Sequence, residues 1–219
     1  MIRLMRAGDI DYGLLELPDL AEMTELLATV FSRFDPPAVA AGLSFKELLE
    51  IIRGYGKRAP HDGLTMIARC QSSSKLVGAM LTDDFASPPP EDLGYLLTSN
   101  FAPIVALLED LDNRYRMVCP APPGKILHLF MLGVDPDFGG RGIARTLVQL
   151  ALDNGKRKGY EKAVTEATGN VSQHIFRGTG FVEQFRIPYH GFQFQGEFTF
   201  RSIVDHEAII LLERNLTID

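Results

Sequence analysis

The stretch KILHLFMLGVDPDFGGRGIARTLVQLALDNGKRK, Lys125 to Lys158, decides how the chain is read. Its first part, Ile126 to Val134, is too apolar for an exposed edge, and it ends at Asp135-Pro136, where proline's set φ and missing N–H stop a sheet ladder. Gly139-Gly140-Arg141-Gly142-Ile143-Ala144 follows. Then Ala144, Leu147, Val148, Ala151 and Leu152 recur at three- and four-residue spacing, the period of a helix with one buried face. The order is strand, glycine loop, helix. Glycines at a helix N-terminus leave unpaired backbone N–H groups open to an anion such as a pyrophosphate.

Upstream, Met1 to Arg6 reads as a short edge strand, followed by a polar turn from Gly8 to Asp11. Asp19 with Glu22 three residues on has the capping-box spacing and opens a helix whose apolar face is Leu20, Met23, Leu26, Leu27, Val30 and Phe31. Pro36-Pro37 ends it. Ser44 with Glu47 repeats the signal for a second helix closing near Gly54 to Gly56. Leu64 to Cys70 and Leu76 to Thr82 form a hairpin that ends in the acidic pair Asp83-Asp84. A proline-bracketed insertion, about 85–124, carries one or two helices over Asp92 to Tyr115, as a lid, a pocket wall or a packing pair.

Downstream come a strand at Ala163 to Ala167, a helix at Val171 to Thr179 and a strand at Phe181 to Ile187. A closing hairpin pairs Glu197 to Ile203 with Ala208 to Glu213, and Phe192, Phe194, Phe198 and Phe200 alternate as the core face of a strand does. The expected architecture is one α/β (α+β) domain over 1–219, with a mixed, mostly antiparallel central sheet flanked by helices.

Of the 219 residues 46% are hydrophobic and 23% charged, the balance of an ordinary globular chain that buries one substantial core. The net charge of -6 and the lack of a Lys/Arg block weigh against nucleic acid as a partner and suit a cationic substrate. No apolar run is long enough to span a bilayer and the first residues lack a secretory h-region, so the expectation is a cytoplasmic protein without a membrane partner. Cys70 and Cys119 are isolated, which implies core thiols and no metal site.

GGRGIA, the amphipathic helix after it, the next short strand and then NVSQHIFRGTGF together resemble the GNAT family of N-acetyltransferases, which use acetyl-coenzyme A. The family loop is Arg/Gln-x-x-Gly-x-Gly/Ala. Gly142 and Ala144 match its last two positions, and Gly139 replaces the leading Arg/Gln. The resemblance implies that backbone N–H groups of Gly140, Arg141, Gly142, Ile143, Ala144 and Arg145 hold the cofactor pyrophosphate, with Gly139 beside them in the cofactor site and Asn170, Ser172 and Phe176 contributing from the next helix. Within the family the chain is similar to arylalkylamine N-acetyltransferases: LHLF at Leu127 to Phe130 matches the first histidine of their Leu-His-x-His run with His128. Arg33 to Pro37 resembles the acidic-residue-plus-proline loop of the insect branch, with Asp35 at the acidic position.

The implied activity is transfer of the acetyl group of acetyl-CoA to the primary amine of a small molecule by direct attack in a ternary complex, without a metal, by a monomer or homodimer. The acceptor ammonium must lose a proton, a task suited to His128, with Asp35 as a second acidic candidate. The thioester oxygen must be polarised by a backbone N–H around Leu132, Gly133 and Val134, and Gly133 permits close approach. The family's general-acid tyrosine is replaced by Phe176, so Ser172, Tyr189, a water or a helix N-terminus takes its place. Three alternatives stay open: acetylation of a protein N-terminus, acetylation of an aminoglycoside, and a catalytically silent acyl-CoA-binding or sensor module. Strand alternation puts His128, Phe130 and Leu132 on one sheet face. Read without the resemblance, His128 is a hydrogen-bonded core histidine, Asp35 a helix-ending turn residue and Asp83-Asp84 a solvated turn.

Overall fold

The computed structural model describes residues 1–90 and 100–217. Its strands are β1 (Ile2–Ala7), β2 (Ile10–Leu14), β3 (Met66–Cys70), β4 (Leu76–Asp84), β5 (Ile126–Val134), β6 (Lys162–Ala167), β7 (Val182–Pro188) and β8 (Ala208–Asn215). They form one sheet in the order β1-β2-β3-β4-β5-β6-β8-β7, antiparallel at every step except β5 with β6. The helices are α1 (Leu20–Phe34), α2 (Pro36–Ala40), α3 (Phe45–Gly56), α4 (Ala59–Asp62), α5 (Ala102–Val118), α6 (Ile143–Arg157) and α7 (Asn170–Arg177). This is the mixed, mostly antiparallel α/β architecture that the sequence leads one to expect. No helix among the described residues is long and apolar enough to cross a membrane.

Two hydrophobic layers sandwich the sheet. On one face Met23 and Leu27 of α1, Ile51 and Ile52 of α3, and Leu107, Leu111 and Tyr115 of α5 pack on Ile67, Ala79 and Val164. On the other, Leu147, Val148, Ala151 and Leu152 of α6 and Phe176 of α7 cover Met66, Met80, Leu127 and Leu129. α6 lies close because glycines make room for it. A Cβ on Gly78 would stand 2.9 Å from Ile143 Cγ2 and 3.0 Å from Leu147 Cδ1, and one on Gly155 would stand 2.6 Å from Leu127 Cδ2.

Local signals produce the elements they specify. The capping box at α3 is complete, with Glu47 N–H donating to Ser44 Oγ at 3.2 Å and Ser44 N–H to Glu47 Oε2 at 2.8 Å. β3 and β4 form the expected hairpin.

Four expectations are corrected. Ile10–Leu14, read in part as a turn, is strand β2, because the reversal is completed within Gly8-Asp9 and alternation then buries Ile10 and Tyr12. Pro36-Pro37 does end α1 but also opens α2, with Asp35 as its N-cap accepting from Ala38 N–H at 3.0 Å. Asp19 does not cap α1. Its carboxylate accepts from Glu16 N–H and pairs with the N-terminal ammonium and Arg69 instead. Lastly, Glu197 to Ile203 is no strand: β8 inserts between β6 and β7, which occupy both edges of β8 and leave none for the preceding segment, and that segment closes as turns with one isolated bridge, Phe194 with Glu197. Phe200 is then a buried plug, while Phe198 is exposed. Within the insertion, 91–99 lie outside the described residues, and α5 covers the rest of the expected helical segment.

Gly78→Val should therefore push α6 off the sheet and cost about 1–3 kcal/mol, read as a lower urea midpoint at unchanged slope. An unmoved midpoint would show that α6 does not depend on this close approach.

Candidate active site

β5 and β6 are bonded over only three rungs, Ile126 with Lys162, Leu127 with Ala163 and His128 with Val164, and then part. Against β4, Leu81 pairs with Met131 and Thr82 with Leu129, so Phe130 is an extra residue, a β-bulge. The bulge resets the alternation. Phe130 and Met131 both turn toward α1, and Leu132 and Val134 toward α6, so Leu132 does not share the face of His128 and Phe130 as unbroken alternation would have it. Asp135 N–H donates to Val77 O at 2.9 Å. Counting back along an antiparallel ladder, the Gly133 N–H also points to β4, and those of Leu132 and Val134 point into the gap left by β6. The missing side chain of Gly133 is accounted for by α1, since a Cβ there would stand 2.8 Å from Leu27 Cδ2.

The gap opens into a cavity of about 840 Å³ that runs through the sheet. At its α6 end the wall is Gly139 to Arg145. Gly140 (φ 71°) and Gly142 (φ 76°) adopt the left-handed conformation that favours glycine, and nothing lies within 4 Å of where a Cβ would stand on either. With the unpaired N–H groups of the first turn of α6, this cradle fits a coenzyme A pyrophosphate. Arg141 is turned aside to Asp9 and lies over the Phe138 ring.

Of the other residues singled out from sequence, Asp35, Leu132, Val134, Ser172 and Phe176 lie in the cavity wall, whereas His128, Gly133 and Asn170 stand behind it. Ser172 closes the N-terminal turn of α7, accepting from Gly169 N–H and donating to Gly169 O at 2.9 Å. Asn170 donates its side chain to Asp205 O, away from the cavity. Phe176 is buried edge-on to Phe181 and brings no hydroxyl. Tyr189 donates to Thr168 O at 2.6 Å, and burial pushes its phenol far up. Asp35 accepts from Thr168 Oγ1 at 2.6 Å. Burial raises its carboxyl above the ordinary range despite that bond.

His128 is held at both ring nitrogens. Nδ1 lies 2.9 Å from Asp83 Oδ1 and Nε2 lies 2.7 Å from Glu166 Oε2, with the His128 side chain 12% and the Glu166 side chain 2% exposed. Burial alone would push the imidazole down. The two carboxylates outweigh it and hold the ring well above 6.5, protonated at neutral pH. Glu166, in turn, is held down by His128 against the opposite pull of burial. Sequence reading passed over Glu166, although a charged residue within the otherwise apolar strand at Ala163 to Ala167 was a usable signal.

Residues 59–181 match the model of the acetyltransferase (GNAT) family, more than half of the chain. The chain belongs to this family of acetyl-CoA-dependent acyltransferases. Among solved structures it is similar to the C-terminal condensation domain of Ebony in complex with beta-alanyl-dopamine (TM-score 0.85, 15% identity, 94% of this chain and 98% of that one). It is also similar to arylalkylamine N-acetyltransferase 2 from Aedes aegypti (TM-score 0.78, 19% identity, 96% and 100%). A third is the polyamine N-acetyltransferase of Drosophila melanogaster, which forms N-acetylagmatine (TM-score 0.75, 18% identity, 94% and 100%).

The paired histidine makes stability depend on pH. A His raised in the folded state contributes stability that is fully present below its unfolded value near 6.5 and is lost as pH rises through the folded value. Chemical denaturation should show stability falling above pH 6.5 by up to about 1.4 kcal/mol per pH unit. His128→Gln should remove this part of the slope and cost about 3–5 kcal/mol at pH 6 by leaving two carboxylates without their cation. An identical slope in the variant would refute the imidazolium assignment.

Proposed function

We propose that the chain transfers the acetyl group of acetyl-CoA to the primary amine of a small molecule, by direct attack within a ternary complex. One observation carries the reading: a single cavity joins the glycine cradle of α6 to an end lined by Asp35, Glu166 and apolar side chains of α1, α3 and α5. Cofactor and acceptor can therefore meet without a covalent enzyme intermediate. When bound, acetyl-CoA supplies the activated thioester.

This chain's own groups do the rest. The N–H groups of Leu132 and Val134, aimed into the gap, are placed to hold the acyl oxygen. The acceptor ammonium loses its proton to Asp35, which faces the cavity and whose raised carboxyl is closer to neutral pH than an exposed aspartate. His128, protonated and hydrogen-bonded at both nitrogens, offers no lone pair. In this reading it is a structural cation beneath the acceptor site, not the base. Phe176 has no proton to give and the Ser172 hydroxyl donates its own to Gly169 O, so the leaving thiolate is served by solvent. The acidic acceptor end supports an amine over an anionic nucleophile.

Acetyl-CoA at a hundred times its dissociation constant should stabilise the protein by about 2.7 kcal/mol, seen as a rise in Tm. Thiol release from acetyl-CoA across a panel of primary amines should then identify the acceptor. Asp35→Asn keeps an oxygen to cap α2 but not the basicity, and should lower kcat by about 10²–10⁴. The acid limb of the wild-type pH–rate profile should lie above the range of an exposed aspartate. No change in Tm with acetyl-CoA would overturn the cofactor site, and full activity in Asp35→Asn would overturn the base.

A further inference from the structure

Two buried carboxyl oxygens near the acceptor end have no ordinary partner. Oε1 of Glu166 and Oδ1 of Asp112 on α5 are both buried and meet no donor among the described residues, and the two side chains face each other. Two bare acceptors cannot rest together in a low-dielectric site unless one of them carries a proton and donates it. We infer that Asp112 is a positioning residue of the acceptor site: as the neutral acid it donates to Glu166, which His128 grips from the other side, and so it fastens α5 as a wall of the cavity.

The placement supports the role. Ile104, Leu107 and Leu108 of α5 line the cavity, and Asp112 lies one helical turn beyond Leu108 on the same stripe. The far half of α5 has other polar anchors. Tyr115 donates to Glu213 Oε2 at 2.5 Å, and Arg116 reaches the Phe85 carbonyl. Of these contacts, Asp112 with Glu166 is the one next to the wall residues. The charged and titratable groups around the pair are His128 on β5, Asp83 on β4, Tyr55 on α3 and Arg116 on α5 itself. Burial first, and then the Glu166 charge, push Asp112 up to about 8. For an acid raised in this way the folded state holds the extra proton from about pH 4 upward. The fastening is therefore present at neutral pH and is lost as pH rises past 8.

The inference rests on the proposed acetyl transfer only in calling this end the acceptor site, and its test needs no acceptor. Hydrogen exchange of the α5 amides, corrected for intrinsic rates and referred to α6, is followed at pH 6.5 and 9.5 in the wild type, Asp112→Asn and Asp112→Ala. Wild-type α5 should lose about tenfold or more of its protection between the two pH values, the equivalent of one hydrogen bond to a charged group. Asp112→Asn, which donates at any pH, should stay protected at both, and Asp112→Ala should show the lowered protection already at pH 6.5. Should the alanine variant not fold, the wild type and the asparagine variant decide alone. A wild-type α5 that follows α6 at both pH values, or an asparagine variant as pH-sensitive as the wild type, would overturn the inference. The acetyl-CoA shift in Tm is read on the same samples, so a failure of the transferase reading is seen separately.

Discussion

Everything at this site depends on β5 and β6 leaving each other after three rungs. Parallel strands that stayed paired would bury their edges in a continuous ladder, with no room for a ligand in the sheet. Here the last rung is His128 with Val164, and beyond it both strands have free edges. The Phe130 bulge makes the departure workable. It puts two successive side chains on the α1 face and aims the Leu132 and Val134 N–H groups across the gap.

The point where the strands part gathers buried charge. Removing a lone carboxylate or imidazolium from water costs several kcal/mol, so isolated charges would not be found there. Asp83, His128, Glu166 and Asp112 meet the cost together: one cation sits between two anions, with a neutral acid against the inner one. Each member comes from a different element, so the network ties β4, β5, β6 and α5 together beside the open gap.

The features legible in the sequence are those whose cause is local. Ser44 and Glu47 cap α3 because a helix start needs acceptors at those two positions, whatever packs on it. The run from Ile126 to Val134 and the glycines before α6 were readable for the same reason, as was the Asp35-Pro36 turn. The reading failed where a partner decides. Nothing within Glu197 to Ile203 says that both edges of β8 will be taken by β6 and β7, and nothing in Leu129-Phe130-Met131 announces a bulge, whose extra residue is defined only against β4. The protonation state of His128 is illegible in its own stretch for a similar reason, because its proton affinity is set by Asp83 and Glu166, 45 and 38 residues away.

The sequence by itself determined the strand–glycine loop–helix unit, since this follows from backbone geometry that glycine, proline and apolar spacing impose along a few successive residues, and its motifs carried the resemblance to the family that the comparison shows. Only the tertiary structure decided what lies at the other end of the cavity: which carboxylates face it, which nitrogen lone pairs are already spent, and which N–H groups are left unbonded by a neighbouring strand. Those are properties of desolvation and of pairing between distant segments, and no single segment carries them.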